Sequence, residues 1–478
     1  MKKKIITSSI FCFFCGVLSF NISAQEYKYD ISKYYTPDIV RNQLDLSFNT
    51  NNSFNNYSAK TDTTRSTYST KLNGTIAPNF TTYTNTRKRV SFLQINGQFA
   101  GNYSTNRDIN QSNSNKNFQT SNYLNLTYSN RFYNSSNKYL LLGISSNFQA
   151  TLGNNTSGTN SISSKNYNKQ YILNIYPAIG IGVGRIESVE DARQAIYILD
   201  DFSKKGVLTR QLNNDEIFQL SQLISRVKNK RFLDARLHLT DEITSVDSFF
   251  VSNKLLDKSG APYFTSLYDN WQYGALYSRK SGQSFEITFT PSYNWNYEND
   301  STVGNYFPSI NRKSLNAALA LTYTYEKPVN LNWQHSVSVS LKGIASIENN
   351  TNTETEMFNV NETNSIGALT GFDNRSINLN GSYTLGFYPS TRTYFSANVS
   401  QNFQLLQLKG VSNYDSNSEK IFASVTSINF NAYYYLSQQL RLSFRFALTN
   451  NYSNESVFKD SSNYLYGEFG GTLSYSFF

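Results

Sequence analysis

Histidine is the side chain best suited to proton transfer and metal ligation near neutral pH, and this 478-residue sequence has two, His238 and His335. Neither is read as pairing locally with a second metal ligand. Both are expected to be structural or solvated. Two acidic pairs, Asp200-Asp201 and Asp241-Glu242, could suggest cation binding. Adjacent helix residues point about 100° apart and do not converge, so solvated faces are the expectation. Gly180, Gly182 and Gly184 alternate as they would in a strand, which fits close packing or a bend better than a phosphate loop. No catalytic residue, metal or cofactor is assigned, and the chain is read as a non-enzyme.

The remaining candidates are charges set opposite apolar neighbours: Glu286, Lys342, Arg441 and Arg445. Charge inside a membrane layer usually lines water. These four are expected to face a lumen, either tuning a polar pore toward anions or bridging a closed, packed interior.

That reading depends on strands with two different faces. In 439–449, Leu440, Leu442, Phe444, Phe446 and Leu448 alternate with polar or small residues, a period of two that a helix would scatter. Six such stretches occupy 40–50, 68–82, 88–104, 118–132, 138–152 and 169–182. Eight more occupy 284–297, 315–325, 337–347, 377–387, 393–405, 421–435, 439–449 and 463–477. The total is even, as a single-chain bacterial barrel requires. No apolar run of eighteen follows the first twenty-odd residues, yet 15% of the chain is aromatic. An all-β transmembrane barrel of about fourteen antiparallel strands accounts for both, since only alternate residues of a spanning strand must be apolar.

Connections between these stretches alternate in length without a break. Long links near 51–67, 105–117 and 153–168 alternate with short ones near 83–87 and 134–137, and the pattern resumes after residue 298. Barrels of this kind have short periplasmic turns and long external loops. The Asn/Ser/Thr tracts of the long links are expected to be flexible tips. Aromatics near strand ends on the short-turn side (Phe132, Tyr323, Tyr325, Phe387, Tyr388, Tyr433, Tyr434, Tyr435, Tyr475 and Phe477) are expected to form a girdle. Leu473, Tyr475, Phe477 and Phe478 resemble the terminal aromatic strand that barrel-assembly machinery recognises.

The chain opens with three lysines, an apolar run and Ala24, the layout of a secretory signal peptide over 1–24. Both cysteines, Cys12 and Cys15, fall inside it. The expected location is the outer membrane of a Gram-negative cell. Expected partners are outer-membrane lipid with lipopolysaccharide, the barrel-assembly machinery and a periplasmic protein. Lys and Arg outnumber Asp and Glu by ten but are scattered, so nucleic acid is not expected.

Between the two barrel halves, 25–183 and 271–478, the texture changes to helical spacing and dense charge over 184–270. Residues 184–262 hold twelve acidic and twelve basic side chains. Ser188 with Asp191 suggests a capping box for a first helix, Asn213 or Asn214 caps a second, and a third is expected over about 232–250. Such a small unit has a marginal core and should lean on the barrel. Strand parity places it on the short-turn side, facing the periplasm. The stretches GRIESVEDARQAIYILDDF (184–202) and KNKRFLDARLHLTDEI (228–243), with DNWQYG (269–274), resemble segments of uncharacterised outer-membrane proteins from Bacteroidetes. That resemblance implies an outer-membrane barrel and no specific function. The resulting expectation is a pore or export component for a polar solute with the insert at its periplasmic mouth, or a non-conducting docking protein.

Overall fold

The computed structural model describes residues 29–60, 64–108, 113–134, 136–158, 163–230, 238–257, 260–274, 278–302, 305–306, 309–353, 374–408, 419–437, 440–455 and 461–475. The expected signal peptide, with Cys12 and Cys15, and the terminal Phe477 and Phe478 lie outside them.

Fourteen antiparallel strands form one sheet in strict chain order. They are β1 (Ile39–Lys60), β2 (Thr64–Asn85), β3 (Arg89–Asp108), β4 (Asn113–Tyr133), β5 (Lys138–Gly158), β6 (Ser163–Ser188) and β7 (Lys280–Thr302). The second half comprises β8 (Ser309–Pro328), β9 (Trp333–Thr353), β10 (Asn374–Ser390), β11 (Thr393–Leu408), β12 (Glu419–Tyr435), β13 (Leu440–Glu455) and β14 (Ser461–Tyr475). A two-residue bridge, Asn305–Tyr306, adds to the end of β7. The even count leaves β1 and β14 antiparallel, as closure requires, but the two are not paired among the described residues. The wall is therefore open along one seam, and Phe48 and Phe469 at its edges are strongly exposed.

Several expected loops are strand. β1 and β2 stay in register up to Lys60 opposite Thr64, β3 and β4 to Asp108 opposite Asn113, and β5 and β6 to Gly158 opposite Ser163. A spanning strand needs only about ten residues, so these hairpins continue well past any membrane. Their Asn, Ser and Thr tracts pair backbone to backbone, with no requirement for an apolar face at that height, and the period of two fades there for that reason.

Among the described residues, four helices sit between β6 and β7: α1 (Glu190–Lys204), α2 (Asn214–Lys228), α3 (Leu239–Ser252) and α4 (Ala261–Tyr273). The strand persists further than the sequence suggested, because Gly184 pairs with Ser284 and Ser188 with Lys280. Gly184 and Gly282 hold positive φ along this extension, a conformation that disfavours other residues. Ser188 therefore ends a strand and does not cap a helix; the N-cap of α1 is Val189, without a side-chain bond. Asn213 and Glu216 do form a reciprocal capping box on α2, each side chain accepting the other's backbone N–H at 2.9 Å. A fourth helix, beyond the three expected, begins at Ala261, with Pro262 in its first turn, where a missing N–H costs nothing.

The helices share one core. Ala192, Ile196, Leu199 and Phe202 of α1 meet Ile217, Leu220 and Ile224 of α2, Val246 and Phe250 of α3, and Tyr263, Leu267 and Trp271 of α4. Ile31 and Tyr34, from the short 3-10 turn Ile31–Lys33 before β1, are buried in that core, as is Leu331 from the β8–β9 turn. A stripe on each helix would leave a unit this small marginal alone. The segment before β1 and a barrel turn complete it.

Candidate functional site

The outward face of the sheet is a continuous apolar layer. Phe285 and Phe289 on β7, Ile179, Ile181 and Val183 on β6, Leu315 and Leu319 on β8, and Phe444 and Phe446 on β13 all stand exposed on it. Tyr171, Trp295 and Tyr297 stack at its long-loop border, and Trp333, Phe387 and Phe395 stack near the short turns. From Phe285 to Trp295 the strand rises about 33 Å at ~3.3 Å per residue. At a tilt of about 40° that spans the ~25 Å apolar band of an outer-membrane barrel. An exposed apolar face of this extent, on a sheet whose neighbouring strands pair along most of their length, is a membrane-spanning wall of the outer-membrane type.

His335 lies on this outward face. Its Nδ1 is 2.7 Å from the hydroxyl of Tyr383, and the two rings stack. His238 is exposed at the N-cap of α3. The structure does not bring the two together. The acidic pairs are likewise structural. Asp201 accepts hydrogen bonds from Lys205 at 2.9 Å, Asn270 at 3.1 Å and Ser266, tying α1 to α4. Burial alone would raise its pKa, but these bonds outweigh burial and hold the carboxyl low. Glu242 is buried and accepts from the indole of Trp271 at 2.8 Å. Among the described residues no group of three or more His, Cys, Asp or Glu side chains is placed to hold a metal.

The inward face is polar. Asn378, Asn380, Ser382 and Thr384 on β10 adjoin Ser400, Asn402 and Gln404 on β11, a row that alternates with apolar outward neighbours. Glu286 faces inward and is neutralised: Arg131 of β4 donates to it at 3.1 and 3.2 Å, Tyr139 of β5 at 3.0 Å, and Thr288 at 3.0 Å. Arg131 was not singled out from sequence, although its alternation with Phe132 carries the signal. Tyr139 reaches Glu286 by lying across β6 at Gly182, where a Cβ would overlap the ring. The alternating glycines thus provide close packing, one of the two roles their spacing suggested.

The other three candidate charges lie elsewhere on the wall. Lys342 is exposed beside Ala320 and Asn378, and Arg445 lies between Asn431 and Gly470. Arg441 stands 5.8 Å over the ring of Tyr433. The structure does not unite the four into one site. At the C-terminal strand, Leu473 and Tyr475 point outward opposite Leu442 and Leu440.

Two aromatics expected in a lipid girdle, Tyr388 and Tyr433, instead face inward beneath the helices. With Tyr394 between them they stack in a row, and Tyr388 is buried. The guanidinium groups of Arg193 on α1 and Arg279 before β7 lie 5.1 and 4.9 Å from the Tyr388 ring. Arg279 is buried and donates to the backbone oxygens of Asn330 and Trp333 at 2.8 and 2.7 Å, and to that of Leu331. Burial, reinforced by Arg193, pulls its pKa down to about 10, so it stays charged at neutral pH. Strand parity gives Tyr388 and Tyr433 to the inside; aromatic type alone had suggested lipid.

The helical body touches several short turns. Tyr197 of α1 reaches the backbone oxygen of Tyr388 at 3.4 Å. Asp269 of α4 pairs with Arg392 in the β10–β11 turn, whose guanidinium also lies 4.4 Å over Tyr273. Tyr273 meets Tyr435 at the end of β12. On the opposite flank the contact is made by the end of β6, where Arg185 pairs with Glu187 at 2.7 Å and donates to the β2–β3 turn at Thr86 and Arg87. Tyr34 places its hydroxyl 2.7 Å from Ser225 of α2. Ser225 also bonds Asp191, and Lys228 meets Asp191 at 2.9 Å.

No protein-family model matches the chain, and no curated protein matches it. Among solved structures it is similar to one described as a bacterial polysaccharide outer membrane secretin, at 8% identity over 92% of this chain and 98% of that one, with a TM-score of 0.20. It is also similar to OccAB1 of Acinetobacter baumannii, at 9% identity over 95% and 100%, TM-score 0.22. A third is the outer membrane protein OprD from Pseudomonas aeruginosa, at 9% identity over 95% and 98%, TM-score 0.21. At such TM-scores the likeness says nothing about what the lumen carries.

Proposed function

We propose that this protein is an outer-membrane barrel whose polar inner face forms a path for a polar solute and whose helical body restricts the periplasmic mouth. The observation that carries this reading is the attachment of one helical body to the short-turn end: Leu331 of the β8–β9 turn is buried in its core, Asp269 pairs with Arg392 of the β10–β11 turn, and Phe218 of α2 packs on Tyr35, whose ring carries Arg87 of the β2–β3 turn. A body held in that way lies across the short-turn end. Its contacts there mix a buried arginine with a half-exposed ion pair, Asp269 with Arg392, which can part without unfolding either element.

The test is conductance in planar bilayers with the whole protein and with residues 190–273 replaced by a short Gly/Ser turn. Because β6 and β7 stay paired to Ser188 and Lys280, that replacement leaves an ordinary hairpin. Steady conductance that appears or grows after the replacement supports a restricted path. No conductance in either form sinks it. A second reading, docking of a periplasmic protein, is favoured by Val251 on α3 and Phe264 on α4, large apolar side chains exposed on the helical body. Copurification of a partner that Val251→Ser with Phe264→Ser abolishes would support that reading.

A further inference from the structure

The inner face carries a hollow of about 800 Å³ toward the long-loop end of β4 to β7, within the size range of small-ligand pockets. Its floor is set by one residue. Gln119 on β4, Gly153 on β5, Asn168 on β6 and Asp300 on β7 lie side by side in register, and Gly153 leaves the middle of that rung empty. The glycine is not demanded by the backbone. Its φ is not in the left-handed region, and a Cβ there would make only ordinary contact, 3.5 Å from the Cβ of Asn168. The missing side chain therefore opens space without serving the fold.

Around this gap the donors and acceptors are almost all neutral. Asn155 and Asn166 are neighbours in the rung above, and Gln170 adjoins Glu298 in the rung below. Asn155 lines the hollow, and its buried Oδ1 has no hydrogen-bond partner among the described residues. Asp300 is engaged by Asn168. Neither Lys nor Arg is among the lining residues.

We propose that this hollow binds an uncharged polyhydroxylated solute, a short neutral saccharide. Carboxamides offer both a donor and an acceptor, matching hydroxyl groups that do the same, and carboxylates accept strongly from hydroxyls. An anionic sugar would meet Glu298 and Asp300 with no compensating cation. The site deepens the solute-path reading and rests on it for its biological meaning.

Binding is measured by calorimetry on the full detergent-solubilised chain, so a protein that binds without conducting separates the two ideas. The probes are trisaccharides of glucose, galactose and mannose, with trigalacturonate as the anionic counterpart and calcium as the cation. At least one neutral trisaccharide should bind, and trigalacturonate at least tenfold more weakly. Gly153→Met should weaken the neutral ligand tenfold or more by filling the gap, and Gln170→Ala gives the same test where the larger side chain disturbs folding. Glu298→Gln with Asp300→Asn should erase the discrimination against trigalacturonate. Binding of calcium alone, failure of every neutral trisaccharide, or unchanged affinity in both single variants overturns the proposal.

Discussion

The ring of Tyr139 on β5 lies directly over Gly182 on β6 and places its hydroxyl 3.0 Å from Glu286 on β7, bridging three strands across the inner face. Any side chain at position 182 must displace that ring. Gly182→Ala is therefore expected to destabilise the wall by about 1–3 kcal/mol, as overpacking does. The readout is the temperature at which the fast-migrating unheated form disappears on a gel. A variant with the native transition would show that the contact is not confining.

Tyr34 belongs to the segment before β1 but is buried in the helical core, with its hydroxyl 2.7 Å from Ser225. Tyr34→Ala removes a large buried ring, a change that typically costs about 3–5 kcal/mol. Because the ring ties the N-terminal segment to α2, protease cleavage near residues 29–38 should become fast while the strands stay protected. Uniformly unchanged cleavage would count against the tie.

Acid should melt the helical body before the wall. The paired hydrogen bonds from Arg210 pull the Glu216 carboxyl down to about 2, below its ordinary value near 4.5. A depressed carboxylate contributes stability that is fully present above the unfolded value and is lost as pH falls from about 4.5 through 2. Asp201 is shifted in the same direction. Its partner Arg210 is half exposed, so the share of Glu216 after screening is only about 0.5–1 kcal/mol. Helical circular dichroism followed between pH 6 and 2 should decline before the strand signal, and Glu216→Gln should flatten the early part of that decline. Simultaneous loss of both signals would refute the ordering.

Arg392 joins the β10–β11 turn to α4 through Asp269 and lies over Tyr273. Both partners of the ion pair are partly exposed, so a double-mutant cycle with Arg392→Gln and Asp269→Asn should return about 0.5–1 kcal/mol of coupling. In bilayers the single variants should open more often than the native protein. Identical gating in all four proteins would leave this pair without a role at the mouth.

The sequence by itself determined the wall. Alternating residues such as Leu440, Leu442, Phe444 and Phe446 can hide from water only by facing one side of a strand, and local pattern suffices to show that. The capping of α2 at Asn213 was legible for the same reason, since both bonds are made within three residues. What needed the tertiary structure were relations between residues distant in the chain. Arg131 meets Glu286, and Tyr34 enters a core built mainly from residues 189–271. Tyr388, inward by strand parity, meets Arg193 of α1 and Arg279 before β7 over its ring. The long Asn, Ser and Thr tracts read as loops because polar residues carry no face preference, yet paired backbones extend them as hairpins. The hollow at Gly153 was equally invisible, because a missing side chain becomes a cavity only when its cross-strand neighbours are known.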